Sequence, residues 1–165
     1  MDCMTAEQRS RNMARIRGRD TVPEMVVRRL LHRLGYRYRL HDRYLPGKPD
    51  LVFRAKRCIL FVHGCYWHRH PGCRFAFVPQ TRADFWTRKF ARNVERDRRV
   101  TQELQDTGWR VLVVWSCEVG NVDELSANLV AFLGSAGSVQ NATPCSEKGL
   151  VPRAGQTHRG TAAGI

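Results

Sequence analysis

Long apolar runs are absent from this chain. No stretch of its 165 residues approaches the roughly 20 that a membrane-spanning helix needs. The first 20 residues are polar and rich in arginine, and they lack the apolar centre of a secretory signal. These absences predict a cytoplasmic protein. In such a reducing compartment, the six cysteines are expected to be metal ligands or free thiols and not to form disulfides.

Acidic residues are also scarce. The 15 Asp and Glu face 28 Lys and Arg, which leaves a net charge of +13 at pH 7. Arginine carries most of the positive charge, and its planar fork suits bidentate contact with phosphate. Each phosphate that is neutralised in this way releases a counterion, so the excess favours a nucleic acid as the partner. A generally basic protein without such a partner is the alternative.

Periodicity and turn residues predict an α/β architecture. Thr5 and Gln8 have the spacing of a capping box that opens a first helix, and Thr21 opens a second helix that Gly35 ends. The predicted elements are helices over residues 5–18 and 21–34, strands over 36–40, 50–53 and 58–62, an irregular loop over 63–78, a long helix over 84–106, a strand over 109–115 that is buried on both faces, and a last helix over 122–133. This order predicts a central mixed sheet flanked by helices.

Composition divides the chain into three parts. Residues 1–20 form an Arg-rich arm, and residues 21–133 carry the other predicted elements. From residue 134 to residue 165 the chain shifts to Gly, Ala, Ser, Thr and Pro with few large apolar side chains. Such a segment cannot bury enough apolar surface to fold, so a disordered tail is predicted. There is no internal repeat.

An aspartate stands where two strand ends are expected to meet. Asp50 follows Pro49 at the start of a predicted strand, and the next strand leads directly into His63. A carboxylate in such a cleft can hold a hard cation such as Mg²⁺. An ordinary turn aspartate is the alternative, because Pro and Asp are common turn residues.

Soft metal ligands are dense in the loop that follows. Cys65, His70 and Cys73 are close enough in sequence to reach one ion, and Cys117 can complete a closed Cys₃His zinc site from beyond the next strand. His68 could replace His70, since the spacing does not distinguish the two. A set of buried free thiols is the alternative.

One carboxylate interrupts an apolar helix face. Phe90, Val94, Asp97, Thr101 and Leu104 recur at helical spacing and are expected to form one face of the long helix. A carboxylate is costly there unless it is paired. A histidine that the carboxylate orients would be an economical partner, and a salt bridge to a nearby arginine is the alternative.

Aromatic side chains lie among the proposed ligands. Tyr66 and Trp67 are adjacent in the loop, and Trp86 follows Phe85 near the start of the long helix. Exposed aromatics on a pinned loop can stack on bases or wedge between them. A local core for the loop is the alternative.

Six ordered motifs resemble the very short patch repair (Vsr) endonucleases, a family that nicks mismatched DNA. The resemblance covers roughly residues 5–133, and several long matches in order are more specific than one motif alone. The motifs are RSRNM at 9–13, PGKPD at 46–50, HGCYWH at 63–68, TRADFW at 81–86, NVERDRR at 93–99 and GWRVL at 108–112.

The resemblance implies a restriction-endonuclease-like fold and a specific reaction. One DNA strand would be hydrolysed, with Mg²⁺, 5′ to the T of a T·G mismatch that arises when 5-methylcytosine deaminates. The resemblance implies that Asp50 and the backbone carbonyl of Val62 are the Mg²⁺ ligands. Glu24 and His63 would organise the water that the ion binds. His68, supported by Asp97, would handle the proton of the attacking water.

The same resemblance assigns the metal loop and the DNA contacts. The structural zinc ligands would be Cys65, His70, Cys73 and Cys117. The aromatics that wedge into DNA beside the mismatch would be Tyr66, Trp67 and Trp86. The N-terminal helix would clamp the duplex, with contacts from Arg9, Arg11, Met13 and Arg15.

Partners and alternatives complete the set of expectations. We expect a monomer in the bacterial cytoplasm, at the nucleoid, with duplex DNA as substrate. General mismatch-repair proteins and a repair polymerase are expected partners, with a functional link to a cytosine-5 DNA methyltransferase. The alternatives are a restriction-type enzyme that cuts both strands and a zinc-stabilised DNA-binding module without catalysis. The module leaves Asp50, His63, His68 and Asp97 without a shared role.

Overall fold

The computed structural model describes residues 18–136, together with Thr5, Glu7, Gln8 and Arg11. At the N-terminus, the Gln8 amide donates to Thr5 Oγ1 at 3.2 Å and the Thr5 amide donates to the Gln8 side chain at 2.9 Å. This reciprocal pair is the predicted capping box. The remainder of the predicted arm and nearly all of the predicted tail lie outside the described residues.

The described elements confirm the predicted mixed α/β architecture. Their order is α1 (Val22–Arg33), β1 (Arg39–Leu40), β2 (Leu51–Phe53), a 3₁₀ turn (Arg54–Lys56), β3 (Cys58–His63), α2 (Cys65–His68), α3 (Ala83–Asp106), β4 (Arg110–Trp115), a 3₁₀ turn (Glu118–Gly120) and α4 (Val122–Leu133). None of the helices described in residues 18–136 combines the length and apolar character that a membrane crossing requires.

Four strands form one mixed sheet in the order β1-β2-β3-β4. The first three strands are antiparallel, and β4 runs parallel to β3, with His63 opposite Trp115 at the last pair. The long crossover through α3 allows this parallel pairing, since parallel neighbours cannot be joined by a tight turn. The ends of β3 and β4 therefore meet at one edge of the sheet.

Helices cover both faces of the sheet. On one face, α1 and α4 pack against β2 and β3 around Leu31, Leu60 and Leu129. On the other face, α3 packs through Val100 and Leu104 on alternate residues of the same strands. This three-layer arrangement makes the sheet a rigid support for residues at its edge.

Two strand predictions need correction. The predicted strand over residues 36–40 is reduced to Arg39–Leu40, because Tyr36 and Tyr38 turn their rings edge-on to Phe53 without joining the ladder. The strand predicted as buried on both faces does contact both cores, but Val114 is its one fully buried residue. It is only half-buried because β4 is an edge strand of the described sheet.

Two predictions beyond the sheet also need correction. The loop predicted as irregular over residues 63–78 contains the helical turn α2, which begins when the amides of Trp67 and His68 both donate to the Gly64 carbonyl. On α3, Val94 is 42% exposed and lies outside the buried face, while Val100 belongs to that face.

The turn before Asp50 depends on a glycine. Gly47 has a φ of +70°, and a Cβ at this position would lie 2.4 Å from Val100 Cγ1. Any side chain would push the turn away from α3. The turn therefore brings Pro49 and Asp50 to the sheet edge only while residue 47 is a glycine.

We predict that Gly47→Ala destabilises the protein by about 2–4 kcal/mol, because overpacking adds to left-handed backbone strain. Gly35→Ala is the matched control, since Gly35 also has a positive φ but its added Cβ meets nothing closer than 3.5 Å. The control should lose roughly 1–2 kcal/mol. Urea unfolding of both variants measures the difference, and equal losses would contradict the proposed contact with Val100.

Candidate active site and metal centre

A cleft of about 850 Å³ opens where the strands end. Asp50 precedes β2, Val62 and His63 end β3, and Asp97 reaches the cleft from α3. Glu24 enters it from the first turn of α1. All six residues to which the resemblance assigned the reaction line this one cleft, with His68 from α2 as the sixth.

Asp50 is held by the end of the neighbouring strand. Its carboxylate accepts a 2.8 Å hydrogen bond from the Val62 amide. Burial raises the pKa of Asp50, and the nearby Glu24 carboxylate raises it further. Two carboxylates in one partly desolvated cleft are destabilised when both ionise, and a bound cation would relieve that cost.

The Val62 carbonyl is suited to the same ion. The register of β2 and β3 begins with Leu51 opposite Leu60, and its continuation by two residues would place Pro49 opposite Val62. Proline has no amide hydrogen, so Pro49 cannot donate to the Val62 carbonyl. An anionic carboxylate and a carbonyl without that ladder bond are the oxygen donors that Mg²⁺ accepts, so the residues fit such an ion.

Glu24 is a structural as well as a candidate catalytic residue. It is 3% exposed, and it accepts hydrogen bonds from the Thr21 hydroxyl at 2.9 Å and from Arg28 Nη2 at 2.8 Å. Arg28 also pairs with Asp20 and approaches His41 Nε2 at 3.1 Å.

Sequence reasoning missed Asp20, Arg28 and His41. The i,i+4 spacing of Glu24 and Arg28 was a detectable signal for the buried pair. No local pattern connects Asp20 or His41 to that pair.

His68 and Asp97 form the hydrogen-bonded pair that the apolar helix face suggested. His68 Nδ1 lies 2.5 Å from Asp97 Oδ2, and Arg96 binds the other oxygen at 2.9 Å. The histidine partner and the arginine salt bridge, which the sequence offered as alternatives for Asp97, are thus both present. Burial alone would raise the pKa of Asp97, but the hydrogen bonds from His68 and Arg96 outweigh it and lower that pKa.

His63 stacks on His68. Their ring centroids are 3.8 Å apart and the planes are 14° from parallel. Burial, and then the proximity of His68, lower the pKa of His63 to about 3. His63 is therefore neutral at pH 7, which spares the stacked pair a like-charge repulsion when His68 takes up a proton.

The Cys/His cluster lies behind this pair. The ligand atoms of Cys65, His70, Cys73 and Cys117 all lie within 4.8 Å of one another. His70 Nδ1 is 3.7 Å from Cys65 Sγ and 3.3 Å from Cys117 Sγ. The structure groups His70 with the thiols, whereas it groups His68 with His63 and Asp97 in the cleft.

The thiols of the cluster are electrostatically coupled. Burial acts to raise the pKa of Cys65, but hydrogen bonds led by the one from Ser116 lower it to about 7. Burial and the neighbouring thiols raise the pKa of Cys117. Ionisation of one thiol therefore disfavours ionisation of the next. A soft divalent cation would stabilise all of the thiolates, so these residues fit a closed metal site. Ser116 was missed because nothing in the sequence marks it.

The aromatic residues form a cluster beside the cleft. The rings of Tyr66 and Trp67 are 5.0 Å apart, and Trp86 lies 6.0 Å from Trp67. Tyr66 also packs edge-on to the buried Phe90, which fits the alternative of a local core. Lys89 Nζ lies 5.2 Å from the Trp67 ring, so positive charge borders the cluster.

The arm residues are only partly described. Arg11 is exposed, as a DNA contact requires. Arg9, Met13 and Arg15 lie outside the described residues.

Comparison with known proteins identifies a family. The family profile described as DNA mismatch endonuclease Vsr matches residues 1–74. The chain is 48% identical over 128 residues to the type II nicking enzyme V.XorIIP of Xanthomonas oryzae pv. oryzae, an alignment that covers 78% of this chain and 93% of that protein. It is 47% identical over 118 residues to the DNA mismatch endonuclease Vsr of Escherichia coli strain K12, covering 72% of this chain and 75% of the relative.

A third relative extends the match. The type II nicking enzyme V.NmeAIP of Neisseria meningitidis serogroup A is 40% identical over 120 residues, which is 73% of this chain and 85% of that protein. Such identities over most of each relative agree with the resemblance of the six motifs. The chain belongs to the DNA mismatch endonuclease Vsr family.

Proposed function

We propose that this chain is a Mg²⁺-dependent endonuclease that hydrolyses one strand of duplex DNA, 5′ to the T of a T·G mismatch. The observation that carries the proposal is the meeting of Asp50, Glu24, His63 and the His68–Asp97 pair in one cleft. Family membership and relatives named nicking enzymes support cleavage of a single strand. The described mixed sheet between helices is compatible with a restriction-endonuclease-like fold, which the proposal includes.

Asp50 and the Val62 carbonyl would hold the Mg²⁺ ion. When bound, this ion supplies positive charge that stabilises the phosphate as negative charge develops on it, and it lowers the pKa of water. Glu24 lines the same cleft, where its fixed carboxylate would orient the attacking water together with His63. These residues are anchored at the ends of two strands and in the first turn of a helix, so their geometry is preorganised.

His68 would accept the proton of the attacking water. Its Nδ1 faces Asp97 at 2.5 Å, which leaves Nε2 for the water. Asp97 fixes the ring and stabilises the imidazolium that forms, as carboxylates do in other His–Asp pairs. General-base catalysis of this kind contributes typically about 10²–10⁴-fold to a rate.

The mismatch would be recognised by the aromatic cluster. Wedging an aromatic ring between bases costs a few kcal/mol of unstacking, and the cost is least where pairing is already weak. Trp67 lines the cleft, and Tyr66 and Trp86 pack against Trp67, so this cluster could select a T·G pair energetically. The +13 net charge would supply affinity that does not depend on sequence.

The Cys/His cluster would hold a structural zinc ion. A Cys₃His set is typical of closed zinc sites. Cys65 begins α2, which also carries His68, so the bound ion would hold that short helix against the end of β4.

The proposal extends to the biological setting. It places a monomeric enzyme in the bacterial cytoplasm, at nucleoid DNA. Mismatch-repair proteins and a repair polymerase would follow the nick. A cytosine-5 DNA methyltransferase would create the 5-methylcytosine whose deamination yields the substrate.

A nicking assay tests the substrate. Duplexes labelled on either strand, with a T·G pair or a matched pair at the same position, are incubated with Mg²⁺ or with EDTA. We expect one nick, 5′ to the mismatched T, in the Mg²⁺ reaction with the T·G duplex alone. Equal cleavage of both strands in the matched duplex would favour the restriction-type alternative, and absence of cleavage in every reaction would favour the DNA-binding module.

Asp50→Asn tests the Mg²⁺ site. The amide keeps the shape of the side chain but removes the charge, so nicking should fall to background while DNA binding persists. The raised pKa of Asp50 marks a carboxylate that burial destabilises, so the melting temperature of the metal-free protein should not fall. Asp42→Asn is the control, because it removes the charge of a carboxylate that pairs with Arg54 and does not line the cleft. Nicking by Asp50→Asn at the control's rate would remove Asp50 from the proposed site.

Cys73→Ser tests the zinc site. We expect this variant to lose its zinc and to melt roughly 10 °C or more below the parent, since each kcal/mol shifts the midpoint by roughly 2–8 °C. Cys58→Ser is the control, because Cys58 is a buried thiol in the core and outside the cluster. It should lose stability but keep one zinc per chain by elemental analysis. A full zinc content in Cys73→Ser would exclude Cys73 as a ligand.

A further inference from the structure

Trp115 lies between the Cys/His cluster and the cleft. Its indole stacks on the His70 ring, with centroids 4.3 Å apart and planes 7° from parallel. Its edge meets the His63 ring, with centroids 5.6 Å apart at 73°. Because His63 stacks on His68 and His68 binds Asp97, a continuous series of contacts runs from the thiol cluster to α3.

The backbone fixes the indole in this place. Trp115 is the last residue of β4 and pairs with His63, the last residue of β3. Its amide donates to the Glu118 carboxylate at 2.8 Å, and the following residue, Ser116, donates its amide to the His63 carbonyl at 2.9 Å. The main chain on both sides of the indole is therefore anchored.

Packing alone does not explain an aromatic residue here. Trp115 belongs to neither of the two hydrophobic cores of the described residues. Trp109, which immediately precedes β4, does pack against the second core. The ring contacts of Trp115 are with two histidines, one from the metal cluster and one from the cleft.

The geometry points to Trp115 as a positioning residue for the reaction. Its indole transmits the placement of His70 to His63, and through the stacked rings to His68, so that an ordered Cys/His cluster keeps the proton-accepting histidine aimed into the cleft. This inference rests on the proposed roles of His63 and His68. A displacement of about 1 Å at a reacting group can cost about 10²-fold in rate, so a ring held by stacking has a kinetic consequence.

Three variants test the inference. Trp115→Leu keeps an apolar side chain but removes the flat ring, and Trp115→Phe keeps a flat ring. Trp109→Leu is the matched control, because it removes the tryptophan that immediately precedes β4. Each zinc-loaded protein is assayed for single-turnover nicking of the T·G duplex, DNA affinity, zinc content and melting temperature. Histidine ring C–H resonances are followed by NMR as a readout that does not depend on activity.

We expect the His68 resonances to move in Trp115→Leu and to stay in place in Trp109→Leu. His68 is the informative ring, because loss of the indole that contacts His63 directly shifts the His63 resonances even if that ring stays in place. The nicking rate of Trp115→Leu should fall about 10- to 100-fold with zinc content and DNA affinity unchanged. Trp115→Phe should keep most of the rate.

Unchanged His68 resonances in Trp115→Leu would overturn the inference, as would an equal loss of rate in Trp109→Leu. If the resonances move but the rate does not change, Trp115 does hold the rings. That result would instead contradict the proposed catalytic roles of His63 and His68.

Discussion

Parallel pairing of β3 with β4 decides where the groups of the site meet. Cys58 to His63 pair residue by residue with Arg110 to Trp115, so both strands end at the same edge of the sheet. The chain after β3 supplies Cys65 and His68, and the chain after β4 supplies Cys117. A register shift of one residue would turn the side chains at the strand ends, His63 and Trp115, away from their common face. The buried contacts of β3 with α1, α3 and α4 hold this register.

Oxygen donors lie on one side of this edge, and sulfur and nitrogen donors lie on the other. Carboxylates and a backbone carbonyl face the cleft, where a hard cation would find oxygen ligands. Thiols and one imidazole gather behind α2, where a soft cation would find sulfur and nitrogen. The imidazoles of His63 and His68 lie between them. Under the proposed function, the Cys/His cluster would stabilise the fold, and the Asp50 site and the His68–Asp97 pair would carry out the hydrolysis.

Much of this arrangement was predictable from the sequence. The last helix was predicted at its observed bounds, and the long helix and the strand over residues 58–62 to within one residue. The two helices have apolar residues at helical spacing, and the strand is a short apolar run between polar residues. The Pro-Asp turn and the cysteine spacing marked both candidate sites, since chemistry restricts those residue types. Family resemblance then connected Glu24 and Asp97 to the cleft.

The remaining features depend on contacts between distant parts of the chain. Spacing could not choose between His68 and His70, because the choice depends on how α2 turns against α3. The sequence predicted a strand over residues 36–40, but it could not show that only Arg39 and Leu40 pair with β2. Ser116 and Trp115 carry no local signal.

The positions of the bound metals test the central claim most directly. They can be located by anomalous diffraction from crystals grown with zinc and soaked in Mn²⁺ as a substitute for Mg²⁺. We predict zinc bound by Cys65, His70, Cys73 and Cys117, and manganese beside Asp50. Zinc bound instead by His63, His68 and Asp97 would contradict the division between a structural and a catalytic site.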